Sequence, residues 1–132
     1  MRLYFENPVG RVLEHPDGYA LVQYHPGPRK LHHLQAFLTH TVQLLRLRNW
    51  DRMLGDQRQM EPFTPEENEW VLGYWLSEEN QGHRVFGAVL LAEEDFAQLP
   101  AEFTRQDGEA AALTYHLFAN EAAATSWLLG TK

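Results

Sequence analysis

Apolar and polar residues change their rhythm along this chain, and each change marks a strand giving way to a helix. Residues 2–6 (RLYFE) and 10–15 (GRVLEH) are short, part-alternating runs parted by Asn7-Pro8. Asp17-Gly18 is a strong hairpin dipeptide, and 19–25 (YALVQYH) alternates after it. An antiparallel meander of three strands is expected, ended by His25-Pro26-Gly27-Pro28. From 30 to 48 the period becomes helical. Leu31, Leu34, Leu38, Val42 (or Thr41) and Leu45 make one stripe, widened by Phe37 and Leu44. No Gly or Pro interrupts it, and Asn49 follows as a C-cap.

Residues 51–57 (DRMLGDQ) read as a short strand. Thr64-Pro65-Glu66-Glu67 is a capping box, with Thr as N-cap, Pro at N1 and Glu at N3. The helix it opens runs to about 77 with Trp70, Val71, Tyr74 and Trp75 inward. Gly73 inside it costs about 1 kcal/mol relative to Ala, and close packing against the sheet is the expected reason for it. Glu78 and Glu79 fall at the helix end as solvated residues. The near-continuous apolar run 84–91 (RVFGAVLL) fits a central strand covered on both faces. Residues 93–105 are helical, disturbed at Pro100. A last strand, 113–118 (LTYHLF), precedes a helix capped by Asn120 and ending at Gly130. The fold class is therefore α/β: a mixed β-sheet with an N-terminal antiparallel meander, then alternating helices and strands, with four helices in all.

Three stretches carry a family resemblance: the opening YFENPVGRVLEHPDGYALVQY, the junction LGDQRQMEPFTPEENEW, and the closing TYHLFANEAAATSWL. Together they resemble the STAS-like (SpoIIAA-like) family of bacterial α/β domains, related in fold to anti-anti-sigma factors, over essentially the whole chain. The resemblance implies a mixed sheet of four to six strands and a role in protein–protein regulation; some relatives are grouped with lipid-carrying domains. Anti-anti-sigma factors carry a phosphorylatable Ser at the start of a helix. This chain has no Ser before Trp75, and Thr64, followed by Pro65, is the only hydroxyl at the comparable junction.

Composition narrows the setting. At 132 residues and 44% hydrophobic, the chain suits one domain, 1–132, with a real core. Having no cysteine, it has neither disulfides nor thiolate chemistry, and a reducing compartment fits. MRLYFENPVGRV lacks an apolar h-region, and the longest apolar run, Phe86 to Ala92, is too short to span a bilayer. A cytoplasmic protein with no membrane span is expected. A formal charge of −7 repels phosphate backbones, so nucleic acid is not an expected partner. The best basic cluster, Arg46, Arg48 and Arg52, reads as a helix C-terminus with cations that suit its dipole.

The residues offer little chemistry. The chain has no GxSxG, no HExxH and no Gly-rich phosphate loop, and its serines are at 77 and 126 only. His33 and His40 are about 10.5 Å apart along a helix, too far to share an ion. No catalytic, metal or cofactor site is expected. The one candidate lies where strands 19–25 and 51–57 would place their C-terminal ends together, the edge that ligands of open α/β sheets prefer. His25, Arg29 and Lys30 would meet Asp56, Arg58 and Thr64 there. Arg29 and Lys30 oppose the dipole of their own helix, a conflict that a bound anion would relieve. The plain alternative is that Thr64 only caps and that Asp56 and Arg58 pair with each other.

Three classes of function compete. A non-catalytic regulatory or interaction module, with a protein partner or a second copy in a homodimer, is the leading expectation. A domain binding a small anion or apolar molecule at the strand-end edge is the alternative. An enzyme has no positive support.

Overall fold

The computed structural model describes residues 1–130. β1 (Arg2–Asn7), β2 (Gly10–His15) and β3 (Tyr19–Tyr24) form the antiparallel meander. Two side-chain bonds of Asn7 organise the first turn: Oδ1 accepts from the Val9 amide and Nδ2 donates to the His33 carbonyl, both at 2.9 Å. The chain then alternates through α1 (Leu31–Arg48), β4 (Arg52–Asp56), α2 (Pro65–Asn80) and β5 (Val85–Leu90). After β5 come α3 (Glu93–Ala97), α4 (Ala101–Arg105), β6 (Gly108–Ala110), β7 (Leu113–Phe118) and α5 (Glu121–Gly130). All strands join one mixed sheet of order β1-β2-β3-β4-β5-β7-β6. β3, β4, β5 and β7 are mutually parallel, and β6 lies antiparallel at the far edge.

Strand alternation sorts the core into two layers. One packs Val12, Ala20 and Val22 of the meander under the apolar stripe of α1 and Trp75 of α2. Leu34, Phe37, Leu38, Thr41, Val42, Leu44 and Leu45 of α1 are all buried, so both candidates for the stripe's centre face inward. The opposite layer packs Leu54 and Ala88 under Ala124 and Leu128 of α5. Asn49 ends α1 in the left-handed region at φ 56°, its amide donating back to Arg46 and Leu45.

α2 begins as the capping box requires. The Glu67 amide donates to Thr64 Oγ1 at 3.1 Å, and the Thr64 amide donates to Glu67 Oε1 at 2.9 Å. Thr64→Ala is expected to cost about 0.5–2 kcal/mol in urea unfolding. Thr64→Asp should lie close to wild type, because a carboxylate also caps and suits the dipole.

Several expectations are corrected. Among the described residues the sheet has seven strands, β6 being the unforeseen one, and there are five helices because the 93–105 segment breaks at Pro100. Gly73 is exposed, with nothing within 4 Å of a Cβ built on it, so close packing does not explain it. α2 continues to Asn80, and Glu78 is buried rather than solvated. Arg46 accounts for this: its Nη2 donates to Glu78 Oε1 and Oε2 at 2.7 and 2.9 Å, and His83 Nδ1 lies 3.0 Å from Oε1. The cations at the end of α1 therefore do more than suit a dipole. Arg46 ties α1 to α2, and Arg48 ties α1 to Glu14 of β2 at 2.6 Å.

Candidate functional site

β3 and β4 are parallel neighbours in a register that sets Gln23 against Asp56. Their C-terminal ends therefore share one edge, and a crevice of about 480 Å³ opens there, lined by Gln23, Tyr24, His25, Asp56, Arg58 and Gln59. Three of these, His25, Asp56 and Arg58, were expected at this edge; Gln23, Tyr24 and Gln59 were missed. A signal for Gln23 existed, since strand alternation puts it on the same side as His25.

The charges of the crevice are paired internally. Arg58 donates through Nε and Nη2 to the two oxygens of Asp56, at 3.0 and 2.8 Å, and its amide also donates to Asp56 Oδ1. Nη2 further reaches Glu121, at the start of α5, at 3.4 Å. Burial pushes the Asp56 carboxyl up, but the bonds and charge of Arg58 outweigh burial and hold it below its ordinary range. Arg58 is shifted up in return, chiefly by the Asp56 bond. His25 Nε2 lies 3.4 Å from Glu6 Oε2. The crevice is therefore a set of mixed donors and acceptors without an uncompensated cation.

Arg29, Lys30 and Thr64 do not line it. Arg29 turns the other way, its side chain only 4% exposed, and donates to both oxygens of Glu67 at 3.1 and 2.9 Å. Its remaining bonds go to the Glu61 and Pro62 carbonyls, and it lies over the Phe63 ring. The anion that resolves the conflict at the start of α1 is thus the protein's own Glu67, which also belongs to the α2 capping box. Lys30 is the exposed N-cap residue of α1, without a side-chain cap bond, and Thr64 caps α2.

On the opposite face of the sheet from the Gln23 and Asp56 side chains, between the sheet and the α1/α2 layer, lies a second space of about 90 Å³. Leu34, Leu38, Val71, Trp75, Val89 and Leu113 are among its apolar lining, Gly55 and Gly87 line it from the sheet, and Thr41 and Gln57 are its polar members. Tyr24 lines both spaces. Its ring sits edge-on to Phe37 and Phe63, and burial pushes its phenol up to about 12, with Arg29 opposing and Glu67 adding to the shift.

The histidines are dispersed. His83 is at Glu78 and His116 at Asp107, and among the described residues no group of three or more His, Asp or Glu is placed to hold a metal ion. No helix among the described residues is long and apolar enough to cross a membrane. Comparison with protein-family models, with curated proteins and with solved structures finds no match to this chain.

Proposed function

We propose that the protein is a non-catalytic, STAS-like module that binds a small polar molecule in the strand-end crevice. The observation that carries this reading is the convergence of Gln23, Asp56, Arg58 and Gln59 on about 480 Å³ at the C-terminal ends of two adjacent parallel strands. That volume lies within the ordinary range for small-molecule sites, and the location is the one α/β sheets favour. The ligand is uncharged overall, because Arg58 already has Asp56 and Arg29 already has Glu67.

Thermal shift against neutral amides and polyols, amines and phosphate tests the reading. A neutral polar probe should raise the melting temperature through binding linkage, worth about 2.7 kcal/mol at a hundred times its Kd. Gln59→Ala, which changes an exposed lining residue, should weaken that response, and phosphate should give none. A flat response to every probe would remove the crevice as a ligand site.

A second reading, an interaction module, is favoured by Leu72 and Leu76. They stand one turn apart on α2 at 54% and 51% exposure. A partner protein or a second copy would cover them, and a solution mass of 15.3 kDa by light scattering would remove the second copy.

A further inference from the structure

We infer that the space between the sheet and the α1/α2 layer is a ligand site in its own right, built for a small uncharged molecule with an apolar body and one hydroxyl group. It lies on the other face of the sheet from the strand-end crevice, and it stands or falls without that crevice.

Three observations support it. First, size and lining set the class of guest. The space measures about 90 Å³. A cavity of about 150 Å³ holds a benzene ring, so this one suits a guest of about four non-hydrogen atoms. Leu34, Leu38, Phe63, Val71, Trp75 and Val89 give it a largely apolar lining from both layers.

Second, the space is open because β4 carries glycine there. Gly55 is registered against Val22, on the face that packs under α1 and α2. A Cβ built on Gly55 would meet only the Ala88 carbonyl oxygen, at 3.9 Å, and its φ is not positive. Neither packing nor backbone conformation therefore demands glycine at 55, and a side chain there would take up the space.

Third, the lining holds two polar side chains that the fold does not use. Tyr24 and Gln57 both line the space. The Gln57 amide still donates to the Leu90 carbonyl, so strand alternation reaches it and puts it on the face of Gly55. Among the described residues neither the Tyr24 hydroxyl nor the Gln57 carboxamide has a hydrogen-bond partner. Thr41, the remaining polar member, already donates to the Phe37 carbonyl at 2.9 Å. Burial keeps the Tyr24 phenol protonated, so it stands as an O–H donor. A ligand hydroxyl can accept from Tyr24 and bond with Gln57, whereas a charged group would be costly to bury against this wall.

The test is amide NMR of the protein titrated with ethanol, 1-propanol and 1-butanol. Saturable shifts are expected at Gly55, Gln57, Gly87 and Val89. Affinity should rise about fourfold per methylene, the equivalent of burying one CH₂, until the space is full. Gly55→Val should abolish these shifts, and the milder Gly55→Ala, which the backbone accommodates, should weaken them. Tyr24→Phe should weaken every alcohol about fivefold, the worth of one ordinary hydrogen bond, and leave the rise per methylene intact. Shifts that stay linear with concentration, or that survive both Gly55 variants undiminished, overturn the inference. Shifts confined to Gln23, Asp56, Arg58 and Gln59 also overturn it and belong to the crevice alone. Unchanged affinities in Tyr24→Phe overturn the assignment of the hydroxyl.

Discussion

Glu67→Ala is expected to destabilise the protein by about 3–5 kcal/mol, as removing one partner of a buried ion pair does. The two side chains are 4% and 5% exposed, so Arg29 would be left as a buried charge with the Glu61 and Pro62 carbonyls and the Phe63 ring beside it but no anion. The same substitution removes the N3 half of the α2 capping box. Arg29→Ala should fall in the same range by stranding the carboxylate. Replacing both with Met should recover much of the loss, because the cost lies in the unpaired charge rather than in the pair's absence. Urea midpoints of the four proteins decide this.

The pair also sets a pH dependence. Hydrogen bonds from Arg29 hold the Glu67 carboxyl below its ordinary value of 4.5, outweighing burial, which pushes it up. A carboxyl lowered in the folded state contributes its full stabilisation above the unfolded-state value and loses it as pH falls through the folded one. The stability gap between wild type and Glu67→Gln should therefore be constant near neutral pH. It should narrow once pH drops below about 4.5. A gap independent of pH down to about 3 would show that Glu67 is not ionised in the fold.

Gly10→Ala is expected to cost about 3 kcal/mol, the upper end for overpacking. The added Cβ would lie 2.0 Å from the Gln23 carbonyl oxygen and 3.0 Å from Phe37 Cζ. A backbone oxygen of the paired strand cannot turn aside as a side chain would, so β2 and β3 must separate. Gly10 is registered against Tyr24, so the separation would open at the crevice. Thermal melts measure the loss, and wild-type stability in Gly10→Ala would mean that β2 and β3 are not so closely apposed.

Much of this fold was legible because its signals are local. The α1 stripe, the Asp17-Gly18 turn, the Thr64 box and the apolar run of β5 each declare themselves within a few residues. β6 was not legible: Gly108-Glu109-Ala110 is three residues with no apolar alternation, and it exists through pairing with β7. A Cβ on Gly108 would sit 2.4 Å from the Tyr115 ring, which explains the glycine only once the partner is known. The candidate site divides the same way. The strand-end position of His25, Asp56 and Arg58 follows from counting elements. The diversion of Arg29 to Glu67, 38 residues away, does not. A basic helix start looks the same whether its anion is a ligand or a carboxylate of the same chain.

The proposal that the strand-end crevice binds a small uncharged polar molecule is tested most directly by amide NMR of the wild-type protein against a fragment set of neutral amides and polyols. The expected result is saturable shifts clustered at Gln23, Asp56, Arg58 and Gln59, weakened in Gln59→Ala. Saturable shifts that cluster elsewhere, or none at any concentration tolerated by the fold, would contradict it.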